Sequence, residues 1–188
     1  MDAVGETKGV AWSEHGCEII NISARVEKHF RPQICIVDSY VSEDFLDALT
    51  ISVGILKNLY KINMNRNQKI TLTCSSLVAG KSMGLPLFMA LHSALTKNPL
   101  SNRVVMCGEI THKGEILPVG RIKEKISYVK DNHEGWYQAA IVPTRNIKQV
   151  MELGTKGLSG VRIFPASRVN SAVMVFDELA QYRTPTFQ

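Results

Sequence analysis

Two glycine-marked stretches decide how this chain is read. The first is Gly80-Lys81-Ser82-Met83-Gly84, which runs into apolar Leu85 to Leu95. The second is Gly108-Glu109-Ile110-Thr111 followed by Gly114-Glu115-Ile116-Leu117-Pro118-Val119-Gly120-Arg121-Ile122-Lys123-Glu124-Lys125. In the first, a serine sits where a strand and a small-residue loop meet a helix N-terminus. Backbone N–H groups are free there and can stabilise an oxyanion. In the second, Lys125 follows two short apolar strands and falls near the first turn of a helix, next to Ile122 and Ile126. A serine hydroxyl used as a nucleophile needs a base to take its proton. A lysine serves only when neutral, so its ordinary pKa of about 10.4 must fall to roughly 7–8. That shift corresponds to about 3–5 kcal/mol of differential solvation, supplied by burial or a neighbouring positive charge. The local setting of Ser82 and Lys125 therefore fits an acyl-transfer pair.

Each residue also has a plainer reading. A serine before a helix is usually an N-cap, and a helix lysine usually lies in solvent. Gly80-Lys81-Ser82 further imitates the end of a phosphate-binding loop, with Val104-Val105-Met106 as the strand that would supply a magnesium ligand. The first glycine of that motif would fall at Ser75, and Glu109 is the nearest downstream acid. A thiol nucleophile would use Cys107 with His112 or His133, although a cysteine in an apolar strand usually belongs to the core.

Along the chain, Val10-Ala11-Trp12 and Glu18 to Val26 predict a hairpin turning over Ser13 to Gly16. Gln33 to Val37 predicts a strand. Ser42 predicts an N-cap, with Glu43 and Asp44 in the first turn and Phe45, Leu49, Val53, Leu56 and Tyr60 on one apolar face. Met64 to Asn67 reads as a polar loop and Ile70 to Cys74 as a strand. Met83 to Lys97 predicts a helix that turns Leu87, Leu91, Ala94 and Leu95 to the core, with an irregular start at Pro86. Val104 to Ile110 and Glu115 to Val119 read as paired strands. A helix begins over Ile122 to Lys130. A strand over Ala139 to Val142, a helix over Asn146 to Leu153, a strand over Val161 to Phe164 and a helix over Ser171 to Gln181 complete the order. This alternation predicts an α/β or α+β fold, mixed sheets with packed helices in one domain over 1–188.

The 188 residues carry 45% apolar and 21% charged side chains and a net charge of +5. Lys and Arg are scattered, with a loose cluster at Arg121, Lys123, Lys125 and Lys130, so a nucleic-acid surface is not indicated. No apolar run reaches the roughly 18 residues of a membrane span. The N-terminus lacks the basic-then-apolar order of a secretory signal. Cys17, Cys35, Cys74 and Cys107 form no Cys-x-x-Cys pair, and the histidines have no metal spacing. A reducing intracellular compartment is expected: cytoplasm, or mitochondrial matrix or peroxisome in a eukaryote.

Taken together, these segments resemble the proteolytic domain of Lon proteases. Gly9-Val10-Ala11-Trp12-Ser13 is similar to that family's Gly-Leu-Ala-Trp-Thr opening, and Ala90 to Thr96 to the helix after its nucleophile. Gly108 to Thr111 and Gly114 to Lys125 carry the most specific part, and the stretch from Ser82 to Lys125 aligns without a gap. The resemblance implies a compact α/β domain and a Ser–Lys dyad of Ser82, the nucleophile, and Lys125, the general base. Lys81, Cys107 and Glu109 would stand beside the dyad and its oxyanion site. It further implies endopeptidase activity on unfolded or flexible polypeptides and a tendency to form a homo-hexameric ring.

The chain departs from the family where Ala79, Lys81 and Met83 replace an aspartate, a proline and an alanine around the serine. Cys107 replaces a threonine that can hydrogen-bond the lysine, and Arg121 replaces a glycine. Lys81, Cys107 and Arg121 favour, as the alternative, a catalytically weak or inactive Lon-fold assembly or interaction module. No complete phosphate-binding loop is present, so no cofactor is expected in this chain. ATP and Mg would enter only with an ATPase domain or partner. The chain is then either the proteolytic part of an ATP-dependent protease or a free-standing processing peptidase of the kind birnaviruses use. In the second case Thr184-Pro185-Thr186-Phe187-Gln188 would be an end left by self-cleavage.

Overall fold

A computed structural model describes residues 2–37, 42–63, 67–76, 80–132 and 136–181. The expected positions Met64 to Arg66, Ala79, His133 and 184–188 lie outside these residues.

The hairpin forms as read, with longer strands. β2 (Glu6–Ser13, after a two-residue β1, Asp2–Ala3) pairs antiparallel with β3 (Gly16–Lys28), from Glu6 opposite Ser23 to Ser13 opposite Gly16. Along β3, buried Ile20, Ile22 and Ala24 alternate with exposed Asn21 and Arg25, so the strand presents two opposite faces. β4 (Gln33–Val37) matches its expected bounds. α1 (Glu43–Asn58) is capped by the Ser42 hydroxyl, which accepts from the Phe45 N–H at 3.3 Å.

The apolar face of α1 is rotated from the expected one. Phe45, Ala48, Ser52, Ile55 and Leu56 are buried, whereas Leu49 and Val53 are half-buried and Tyr60 lies beyond the helix end. Ser52 is compatible with burial because its hydroxyl donates to the Ala48 carbonyl at 2.7 Å. β5 (Gln68–Cys74) follows. A 3₁₀ turn over Lys81–Met83 then leads into α2 (Gly84–Thr96). The irregular start anticipated at Pro86 is this turn. Pro86 itself is the third residue of α2, where an N–H has no intrahelical acceptor in any case. The expected single core face of α2 is also corrected: every residue from Gly84 to Ala94 is buried.

The expected pairing of 104–110 with 115–119 is corrected as well. After β6 (Leu100–Ser101), β7 (Val104–Met106) joins the main sheet. Only β8 (Glu109–Ile110) and β9 (Ile116–Leu117) pair with each other. The run breaks at Cys107-Gly108 because Gly108 leaves the sheet to bond the turn before α2. α3 (Ile122–Asn132), β10 (Ala139–Pro143), a 3₁₀ turn (Thr144–Asn146), α4 (Ile147–Met151), α5 (Gly154–Gly157), β11 (Arg162–Ala166) and α6 (Val169–Gln181) complete the chain.

The seven-stranded sheet has the order β11-β10-β7-β2-β3-β5-β4. It is parallel from β11 through β2, antiparallel through β3 and β5, and parallel again at β4. Helices cover both faces. Ile20, Ile22, Leu72 and Met106 pack with α1, α2 and α6 on one side. Val10, Val105, Cys107 and Ala140 pack with Ile122, Ile126 and Val129 of α3 on the other. This is an α/β domain with a mixed sheet, as expected. Among the described residues no helix is long and apolar enough to cross a membrane.

Candidate active site

Ser82 is half-buried in the 3₁₀ turn, one residue before the helix N-cap Met83. The backbone of the second motif holds it in place. The Gly108 N–H donates to the Ser82 carbonyl at 2.8 Å, and the Leu85 N–H donates to the Gly108 carbonyl at 2.9 Å. The turn is thus stitched to Gly108 on both sides of Met83. An added methyl would crowd this seam at three glycines. A methyl on Gly84 would lie 3.0 Å from Ile110, and one on Gly108 would lie 2.7 Å from Ile116. A methyl on Gly9 would lie 1.9 Å from the Met83 Cε atom. The Gly9 of the opening motif therefore leaves room for the side chain that follows Ser82.

Lys125 lies on α3 and is 3% exposed. Its neighbours on the helix behave differently. Lys123 is exposed and pairs with Glu152 at 2.8 Å, and Arg121 pairs with Glu124 at 3.1 Å. Among the described residues no carboxylate pairs with Lys125. A lysine this buried is rarely unpaired. Two thiols feel its charge. Burial pushes the Cys107 thiol up to about 11, and the Lys125 ammonium pulls the other way. Burial also raises the Cys17 thiol, with Lys125 opposing and Glu124 reinforcing. The Cys107–Gly108 strip thus bonds the Ser82 turn through Gly108 and lies within electrostatic reach of Lys125 at Cys107.

The remaining candidates fall around this strip. Lys81 is exposed beside Ser82. Glu109 is half-buried on β8, opposite Leu117. Cys107 is 2% exposed. A buried thiol pushed up to about 11 is the reverse of an activated nucleophile, which disfavours the thiol reading. Arg121 has φ +55°, the left-handed region that favours glycine, and its guanidinium lies 5.0 Å from the ring centroid of half-exposed Trp12. That backbone conformation accounts for the glycine of the resembling pattern at this position. Among the described residues no group of His, Cys, Asp and Glu has the arrangement of a metal site.

Sequence reading missed Asn146. It is 3% exposed, and its carboxamide bonds both backbone groups of Val119, six residues before Lys125. The available signal was an asparagine after an apolar strand and a proline, where it passes equally well for a turn residue.

The sequence model of the Lon protease (S16) C-terminal proteolytic domain matches residues 1–176. The chain is 26% identical to the Lon protease of Buchnera aphidicola subsp. Schizaphis graminum over 97% of its own length and 24% of the relative's. It is 27% identical to the Lon protease of Vibrio parahaemolyticus, covering 97% of the chain and 23% of that protein. To the Lon protease of Escherichia coli K12 it is 27% identical, covering 90% and 22%. The chain thus spans about a quarter of the length of these relatives. Family match, mixed sheet and the seam between the two glycine-marked motifs agree, and the chain belongs to the family of Lon protease C-terminal proteolytic domains.

Proposed function

We propose that this chain is a serine endopeptidase whose nucleophile is Ser82 and whose general base is Lys125, the 188 residues acting as one proteolytic unit. The observation that carries the reading is a buried lysine with no carboxylate partner among the described residues, beside the strip that hydrogen-bonds the serine turn. Ser82 Oγ attacks the peptide carbonyl carbon as its proton passes to Lys125 Nζ. Backbone amides near Lys81 and Ser82 hold the oxyanion. Collapse of the tetrahedral species breaks the C–N bond, and Lys125 returns the proton to the leaving amine. Water then adds to the acyl ester, Lys125 takes its proton, and Ser82 is regenerated with release of the acid.

Substrates are unfolded or flexible polypeptides, since a peptide bond must reach the turn in extended form. The working assembly is a homo-hexamer in an intracellular, reducing compartment. ATP and Mg act only through an ATPase domain or partner, and this chain itself uses no cofactor. A second reading, a weakly active assembly module, is favoured by Cys107, because a thiol is a poorer partner for a lysine than a hydroxyl.

A peptide boronate, which mimics the tetrahedral adduct, separates the two. Binding to wild type and not to Ser82→Ala supports the peptidase. Wild-type failure to bind supports the module. Cleavage of labelled casein that survives Ser82→Ala would falsify the assignment of the nucleophile.

A further inference from the structure

We infer that Asn146 is a positioning residue for Lys125, an inference that rests on the Ser82–Lys125 reading above. The first turn of α3 begins at Arg121, whose carbonyl accepts from the Lys125 N–H at 3.0 Å. Only Gly120 separates Val119 from that turn, and Arg121 itself is left-handed at φ +55°. The chain therefore swings sharply into α3, and the direction of the helix depends on what holds Val119.

Asn146 holds it by both backbone groups. The Val119 N–H donates to Asn146 Oδ1 at 2.8 Å, and Asn146 Nδ2 donates to the Val119 carbonyl at 3.1 Å. The carboxamide takes the place of a neighbouring strand. Its second amide hydrogen bonds Gln149 Oε1 at 2.7 Å, so the plane of the amide is fixed. Asn146 is itself anchored. It ends the 3₁₀ turn that follows β10, a strand inside the main sheet.

A rigid line thus runs from the sheet through Asn146 and Val119 to Lys125. The Lys123–Glu152 pair also links α3 to the segment after it, but it is exposed at both ends and constrains little. Removing the carboxamide leaves a buried N–H and C=O of Val119 unpaired. The segment relieves this by moving toward water or another partner, and α3 moves with it.

The test compares wild type, Asn146→Ala and Asn146→Asp below their melting temperatures. Asn146→Asp keeps the size and the acceptor for the Val119 N–H, and sets a carboxylate against the Val119 carbonyl. Active sites are counted by saturation with a peptide boronate, and turnover of labelled casein is expressed per site. The expected result is a fall in kcat per site on the order of 100-fold for both variants, as for a displacement of about 1 Å, with KM within about twofold. If Asn146→Ala does not fold, Asn146→Asp carries the comparison. Fewer sites, each with wild-type kcat, would mean a structural role only and overturn the inference. A wild type without a Ser82-dependent boronate adduct overturns the dyad itself, and the inference with it. A wild type that forms the adduct beside normal Asn146 variants overturns the inference alone.

Discussion

The two helices at the candidate dyad, α2 behind the Ser82 turn and α3 carrying Lys125, are built in opposite ways. α2 is buried on every side from Gly84 to Ala94, and what precedes it is placed by backbone hydrogen bonds to Gly108. α3 is amphipathic: Ile122, Ile126 and Val129 face the sheet, and Lys123 and Glu124 face water. Lys125 breaks that pattern by lying on the buried side. The serine is therefore positioned by main chain and by absent side chains, Gly9, Gly84 and Gly108. The lysine is positioned by packing that tolerates a costly group. Each helix also buries a base, His92 on α2 and Lys125 on α3. His92 sits 5.0 Å from the Tyr60 ring and 5.8 Å from the Phe88 ring, as one member of an aromatic cluster. Among the described residues no carboxylate pairs with Lys125, so the fold gains little from its charge.

The comparison breaks most visibly at Lys125→Met, a nearly isosteric apolar replacement. Casein cleavage is expected to fall on the order of 10⁴-fold or more, as for loss of a member of a catalytic unit. Stability is expected to rise by about 1 kcal/mol or more, because no buried amine remains to be desolvated. Thermal melting and activity measured side by side decide it; a lower Tm with activity retained would mean that Lys125 is a structural residue.

The Ser82 side of the contrast is probed at Gly9→Ala. The added methyl must displace buried Met83, with an expected loss of about 1–3 kcal/mol. Chemical denaturation measures the loss, and boronate affinity should drop with it because the displaced side chain is next to Ser82. Unchanged stability would show that Met83 has another place to go.

A smaller effect distinguishes the two buried bases by pH. Burial lowers the His92 pKa below its ordinary value, with Asp177 pulling it back. The unfolded chain then binds the proton more readily than the folded one. The contribution to stability is complete above pH about 6.5 and declines as pH falls from there toward the folded value. Melting curves between about pH 7.5 and about pH 5 should show wild type losing more stability than His92→Phe. Parallel curves would remove His92 from the account of α2.

Much of this was legible along the chain. The strand–turn–strand of Trp12 to Cys17, the Ser42 cap and the strands at Gln33 to Val37 and Ala139 to Pro143 follow from local periodicity and capping chemistry, which act over a few residues. The nomination of Ser82 and Lys125 as a pair came from the resemblance of their two motifs to the Lon proteolytic domain. The rotated face of α1 was not legible, because Ala48 and Ser52 become interior only through packing against another helix. The splitting of the 104–110 run was not legible either. Its cause is a bond from Gly108 to Ser82, 26 positions earlier in sequence and adjacent only in space.

The sequence by itself determined most of the element order and the α/β class, because those depend on residue type and near-neighbour spacing, and its motif resemblance named which serine and lysine to consider. Only the tertiary structure decided that Lys125 is buried while Lys123 is not, that glycines at 9, 84 and 108 face close neighbours, and that Asn146 holds Val119. Those facts depend on which surfaces meet when the sheet and helices pack, and no local stretch of chain contains that information.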